Sequence, residues 1–276
     1  MVPARPARDD HGGDVLEVEA RRVRWSRYRS RLALDDPSQP NFGTGGIPSP
    51  GDDPFLRLLI LPSDPEVDVA EFDGEFWAWW SEEYEDPASG TRTYWGMSKR
   101  PSFLSALRGT SFREDKWQRY VALHRGIGLD MGLLADATYF KPDIKAHVFR
   151  LVPAIARIWS ALELYEKVLN RYQGQGVGGP WEVTLALART HGSLLGHVAK
   201  GWAEPGFAFD ARRCEENALL HRLEVNGVWP NDEGRRQLAY RMGGWIEDSF
   251  GTELRRWIPN PDPGGQPLDR DGARWG

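Results

Sequence analysis

The apolar positions of this chain change their spacing several times, and each change marks a new element. Phe55 to Leu61 (FLRLLIL) is apolar at all but one position and stops at Pro62, which predicts a buried strand. Val67 to Trp80 sets Val67, Val69, Phe72, Phe76, Trp77, Trp79 and Trp80 around Asp73–Gly74, and an Asp-Gly pair between apolar residues predicts a hairpin. Trp117, Arg119, Val121 and Leu123 share one face of a period-two pattern. Leu129, Met131 and Leu133 continue it beyond the Gly126 and Gly128 turn signal, so a second hairpin is expected.

The longest periodic run follows Pro142–Asp143. Ile144, Val148, Leu151, Val152, Ile155, Ile158, Trp159, Leu162, Tyr165, Leu169 and Tyr172 recur at helical spacing, and Gly174 closes the run. Pro153 lies inside it, so the helix is expected either to kink there or to begin there. Trp181, Val183, Leu185 and Leu187 alternate with Glu182, Thr184, Ala186 and Ala188 in the manner of a half-buried strand. His191–Gly192–Ser193 then turns the chain into Leu194 to Trp202, the expected hairpin partner. Cys214 to Val225 reads as a further strand. Asn231 stands where it can cap a last helix that turns Leu238, Met242, Trp245, Ile246 and Phe250 inward and ends at Gly251. Residues 15–34 hold Leu16, Val18, Val23 and Trp25 among arginines, a pattern compatible with strand or helix.

Strands, a long helix, more strands and a short helix follow one another in segregated runs. That order predicts the α+β class, with antiparallel strands and hairpins packed on one long helix and a short C-terminal helix. Four segments are expected. Residues 1–14 form a disordered N-terminal arm and 15–142 a β-rich lobe. Residues 143–257 hold the long helix and an α+β lobe packed with the first as one unit, and 258–276 form a disordered tail with four prolines and four glycines. Asp35 to Pro54, with five prolines and four glycines, reads as a loop.

Composition narrows the function classes. A chain of 276 residues with 40% hydrophobic and 27% charged residues can bury a substantial core, so wholesale disorder is excluded. A net charge of −5 excludes a surface that coats nucleic acid or anionic membrane as a whole, and leaves only local patches for such contacts. The single cysteine, Cys214, excludes an internal disulfide framework. The N-terminus lacks an apolar core segment and carries Asp9, Asp10 and Asp14, and no apolar run is long enough for a bilayer. A cytoplasmic location without a membrane partner is therefore expected. The 13 tryptophans either fill a core or mark a recognition surface, so the placement of each ring carries information.

Familiar catalytic patterns do not fit. Gly174-Gln-Gly176-Val-Gly-Gly179 matches the dinucleotide fingerprint in letters, but that fingerprint needs a strand before it and a helix after it. Here a helix precedes and a strand follows, so the glycines face a helix C-terminus, whose partial negative charge repels phosphate. Gly43-Thr-Gly-Gly46 lacks the lysine of a phosphate loop. His11, His124, His147, His191, His197 and His221 stand in no zinc spacing, and Cys214 and His221 are read as facing opposite sides of one strand. No metal, cofactor or catalytic residue is expected, although a site assembled from distant residues, as in a hydrolase, stays open. Glu71, Asp73, Glu75, Glu82, Glu83, Glu85 and Asp86 could supply paired carboxylates for a sugar stacked on Trp77 or Trp79. The plainer reading is a hairpin with a solvated acidic face.

The densest local signal is basic. Arg21, Arg22, Arg24, Arg27, Arg29 and Arg31 fall within eleven residues and alternate with Trp25 and Tyr28. Arginine forks grip phosphates and rings between them stack on bases, so this segment is a candidate nucleic-acid contact. The competing reading pairs these arginines internally with Glu17, Glu19, Asp35 and Asp36. Together with Trp77 and Trp79 the segment forms the candidate contact surface, for a protein partner first and for nucleic acid as the alternative. The expected function is thus a non-catalytic interaction module. PFLRLLILPSDP, RYVALHRGIGLDMG, the Leu162 to Gly174 helix end and VNGVWPND leading to Asp248–Phe250–Gly251 resemble the region downstream of the Schlafen/AlbA-type domain in bacterial proteins labelled ATP- or DNA-binding. The resemblance implies an accessory unit without that domain, and carries over no functional residue.

Overall fold

Strand β1 (Phe55–Leu61) is the axis of the molecule, and all seven of its residues are buried. The computed structural model describes residues 11–39, 42, 54–83, 109–114, 119–133, 138–198 and 207–251. Of the expected 1–14 arm, residues 1–10 lie outside the described residues, as do most of the proline-rich loop and the tail of residues 258–276, while residues 11–14 are helical rather than part of a disordered arm. β1 pairs antiparallel with β4 (Leu129–Leu133) on one side and β7 (Trp181–Ala188) on the other. β3 (Arg119–His124) joins β4 and β2 (Gly109–Glu114) joins β3, while β10 (Ala218–Val225) closes the far edge beside β7. The result is a six-stranded sheet in the order β10-β7-β1-β4-β3-β2. The expected β3–β4 hairpin is present, turning through Arg125 to Gly128.

Each face of this sheet is covered. Leu56, Leu58, Ile60, Leu129, Met131, Val183, Leu185 and Leu187 meet helices α3 (Leu151–Arg171) and α4 (Asp232–Ser249) in the main core. On the reverse face Phe55, Leu59, Leu61, Ala186 and Ala188 meet Trp25, Tyr28, Leu32 and Leu34 of helix α1 (His11–Arg31) and its exit. A strand covered twice has no wet side, which is why β7 is buried at every position rather than half-buried as its alternation suggested. A second, four-stranded sheet runs β5 (Thr138–Lys141), β6 (Ala146–Arg150), β8 (Leu194–Val198), β9 (Phe207–Arg213). The class is α+β, as expected.

Four local expectations change. Asp73–Gly74 opens helix α2 (Gly74–Glu83) instead of a hairpin, because the Asp73 carboxylate accepts the Phe76 N–H at 2.8 Å and so acts as a helix cap. The long helix begins at Leu151, which puts Pro153 in its first turn where no backbone N–H is required. Ile144 and Val148 belong to the preceding 3-10 turn and to β6. β8 is not the hairpin partner of β7; it crosses to the second sheet and pairs parallel with β6 and antiparallel with β9. Cys214 is not in a strand but in the crossing segment before β10, so the expectation that it opposes His221 across one strand falls away. Asn231 caps α4 as expected, accepting the Gly234 N–H at 3.0 Å.

Candidate functional site

Helix α1 carries the arginine segment, and its helical period sorts the arginines by side. Arg21, Trp25, Tyr28, Arg29 and Leu32 recur three or four positions apart and face the sheet. Arg21 lies over the Trp25 ring at 5.3 Å and meets Glu224 of β10 at 3.3 Å. Arg29 binds Glu182 of β7 and reaches Asp35 at 3.2 Å, while Thr184 donates to the other Glu182 oxygen at 3.0 Å. The outer arginines are paired as well. Arg24 meets Glu17 at 2.8 Å and Asp64 at 3.8 Å, and Arg27 and Arg31 share Glu66 at 3.0 and 3.1 Å. Arg22 is exposed.

Trp25 is 2% exposed and donates its indole N–H to the Pro62 carbonyl at 2.7 Å; Tyr28 is also buried, edge-on to His124. These two rings therefore face the sheet, and the arginine–aromatic alternation does not form a stacking ladder on the surface. Glu17 and Asp35, named as internal partners from sequence, do hold Arg24 and Arg29. Trp79 is half-buried against Phe76, with the Arg171 guanidinium 4.8 Å from its ring centre. The Trp77 side chain lies outside the described residues. Asp68, Glu71, Asp73 and Glu75 are exposed, as a solvated acidic face requires.

Beneath α1 the sheet brings together a cluster that no spacing in the sequence announced. Arg57 of β1 grips Asp130 of β4 with a two-pronged contact, Nε at 2.8 Å and Nη2 at 2.6 Å, both side chains being fully buried. Its Nη1 donates to the Leu32 carbonyl at 2.7 Å, which satisfies the C-terminus of α1. His124 Nε2 stands 4.0 Å from the Asp130 carboxylate, beyond hydrogen-bonding reach, and Tyr28 covers it. Both Asp130 oxygens are committed to arginine, so the trio is a structural clamp rather than an acid–base pair. The only sequence clue was one arginine inside an otherwise apolar strand.

Among the described residues the surface opens into clefts. A small one of about 280 Å³ lies between the end of α1 and the β3–β4 turn, lined by Tyr28, Arg31, Glu66, Asp68 and Arg125. A wider one of about 840 Å³ sits where the chain crosses between the sheets, beside His191, Arg212, Arg213, Glu215, Glu216 and Asp248. There Arg213 donates to the Gly192 and Ile144 carbonyls and Arg212 to that of Gly251. The buried Cys214 thiol donates to the Glu216 carbonyl at 3.4 Å. Among the described residues no group of three or more His, Cys, Asp or Glu side chains could hold a metal ion, and no helix is long and apolar enough to cross a membrane. The Gly174 to Gly179 segment does join the end of α3 to the start of β7.

The outer side of α1 is different in character. Val15, Leu16 and Val23 are 67%, 74% and 48% exposed, and Leu16 and Val23 lie seven residues apart, hence on one stripe. No family model, curated protein or solved structure matches the chain.

Proposed function

We propose that this chain is a non-catalytic binding module whose partner is a protein, contacted through the outer side of helix α1. The observation that carries the reading is how the two sides of that helix differ. The inner arginines are neutralised by Glu182, Asp35 and Glu224, and the outer Arg24, Arg27 and Arg31 are matched by Glu17, Asp64 and Glu66. What α1 offers outward is a charge-balanced surface bearing Leu16 and Val23, which suits an apolar protein face better than a polyanion. An accessory role of this kind agrees with what the Schlafen/AlbA-type resemblance implies.

A photo-crosslinking residue placed at Val23 of the full chain should capture one discrete protein, and the same residue at the exposed Glu233 of α4 should not. Capture at both positions, or at neither, would count against the module. The second reading, a nucleic-acid contact, draws on exposed Arg22 and on the half-exposed Arg27 and Arg31. Fluorescence anisotropy with single- and double-stranded oligonucleotides at low salt separates the two. Binding that weakens steeply as salt rises would favour the second reading, because neutralised phosphates release counterions.

A further inference from the structure

Strand β10 ends the six-stranded sheet with an outer edge that no described strand occupies. Its eight residues run beside β7 in unbroken register, with no bulge and no proline. Natural edge strands are usually shortened, bulged or armed with inward charges, so a long regular edge invites another strand. The charges on this edge say which strand it suits. Arg222 and Glu224 lie two apart, hence on the same face, and remain 39% and 30% exposed while touching Asp35 and Arg21.

We propose that β10 pairs antiparallel with β10 of a second copy of this chain, in the register centred on Leu223. Residues directly opposite in an antiparallel pair share a face, so only registers centred on a residue are allowed for two identical strands. Centring on Arg222 sets arginine against arginine, and centring on Glu224 sets glutamate against glutamate; like charges directly opposite repel. Centring on His221 leaves Arg222 facing Leu220. Centring on Leu223 places each Arg222 opposite the Glu224 of the other copy, twice by symmetry, with the two Leu223 residues directly opposite each other on the other face of the sheet. The sheet then becomes continuous across the dimer, with α1 beside α1 on one face and α4 beside α4 on the other. This surface is separate from the outer stripe of α1, so the dimer and the proposed partner contact stand or fall independently.

The register makes an unusual test. Arg222→Glu leaves two acidic residues on each edge and Glu224→Arg leaves two basic ones, so each variant alone should sediment as a monomer. An equimolar mixture restores both opposite-charge pairs and should sediment as a dimer, like the wild type at tens of micromolar. Circular dichroism of each variant confirms folding. Where either variant fails to fold, amide hydrogen exchange of wild-type residues 221–225 decides the matter, and protection that rises with protein concentration is the expected result. A wild type that stays monomeric, variants that still dimerise alone, a mixture that does not recover, or protection independent of concentration would each overturn the proposal. The last result would assign the edge to a segment of the same chain.

Discussion

Arg57 joins two strands and a helix end through one side chain, and the physics of buried ions sets what its loss should do. Removing one partner of a buried pair leaves an uncompensated charge, whereas removing both can be nearly neutral. Asp130→Ala should therefore destabilise the fold by about 3–5 kcal/mol. The double variant Arg57→Met, Asp130→Leu should recover most of that loss. Urea denaturation of the three proteins measures it, and a double variant as weak as the single would show that Arg57 acts mainly by closing α1 at Leu32. His221 gives a second test at this scale. It stacks on Trp245 at 5.0 Å, and burial, with the Arg241 charge adding to it, holds its imidazole below the usual 6.5. The unfolded chain then takes up the proton more readily, so this contribution is whole above about 6.5 and is lost as pH falls through the lower folded value. His221→Gln should flatten that part of the stability profile. Equal losses in wild type and variant on moving from neutral to mildly acid buffer would refute the assignment.

The contact between α3 and α4 depends on one small residue. A Cβ on Gly243 would overlap the Ile155 side chain, whereas one on Gly244, the next residue, meets nothing within 4 Å. Gly243→Leu should push α4 off α3 and cost about 1–3 kcal/mol through overpacking. Gly244→Ala should instead stabilise the helix by up to about 1 kcal/mol, since only its backbone entropy changes. Thermal melts that moved the same way for both would show that the helices do not touch there. At this scale the sequence was readable wherever a local signal had one meaning. The apolar run of β1 and the Asn231 cap of α4 are such signals. Asp73–Gly74 has two meanings, since an aspartate before glycine can turn a hairpin or cap a helix, and the choice falls to what Phe76 packs against. Helix α1 was ambiguous because two positions on its inner side, Arg21 and Arg29, are charged, so a hydrophobic period does not show them. Ile144 and Val148 match the helical period of α3 only by coincidence, and pairing of β6 with β5 and β8 overrides it. The candidate surface was legible as a list of arginines but not as a site. Which of them face carboxylates depends on Glu182, Glu224 and Glu66, brought near by tertiary folding.

Across the whole molecule, strands from both halves of the chain join in one sheet, and they meet where β1 pairs with β7. β1 stands between β4, from its own half, and β7, which comes after α3; α3 itself sits over β1 residues Leu56, Leu58 and Ile60. Neither half has a complete core without the other. Residues 143–276 alone would expose the β7 edge and the apolar face of α3, and residues 1–142 alone would lose the cover that α3 and α4 give β1. Domains that fold alone have their own core, so the two fragments, cut after Pro142, should each lack cooperative unfolding and bind a hydrophobic dye in the manner of loosely packed states. Mixing them should restore a single transition, because the missing neighbour of β1 is supplied in trans. Calorimetry on the separate and mixed fragments tests this directly. A sharp transition in either fragment alone would mean that the sheet is divided energetically where it is continuous in hydrogen bonding, and that the β1–β7 pairing contributes little to the stability of the whole.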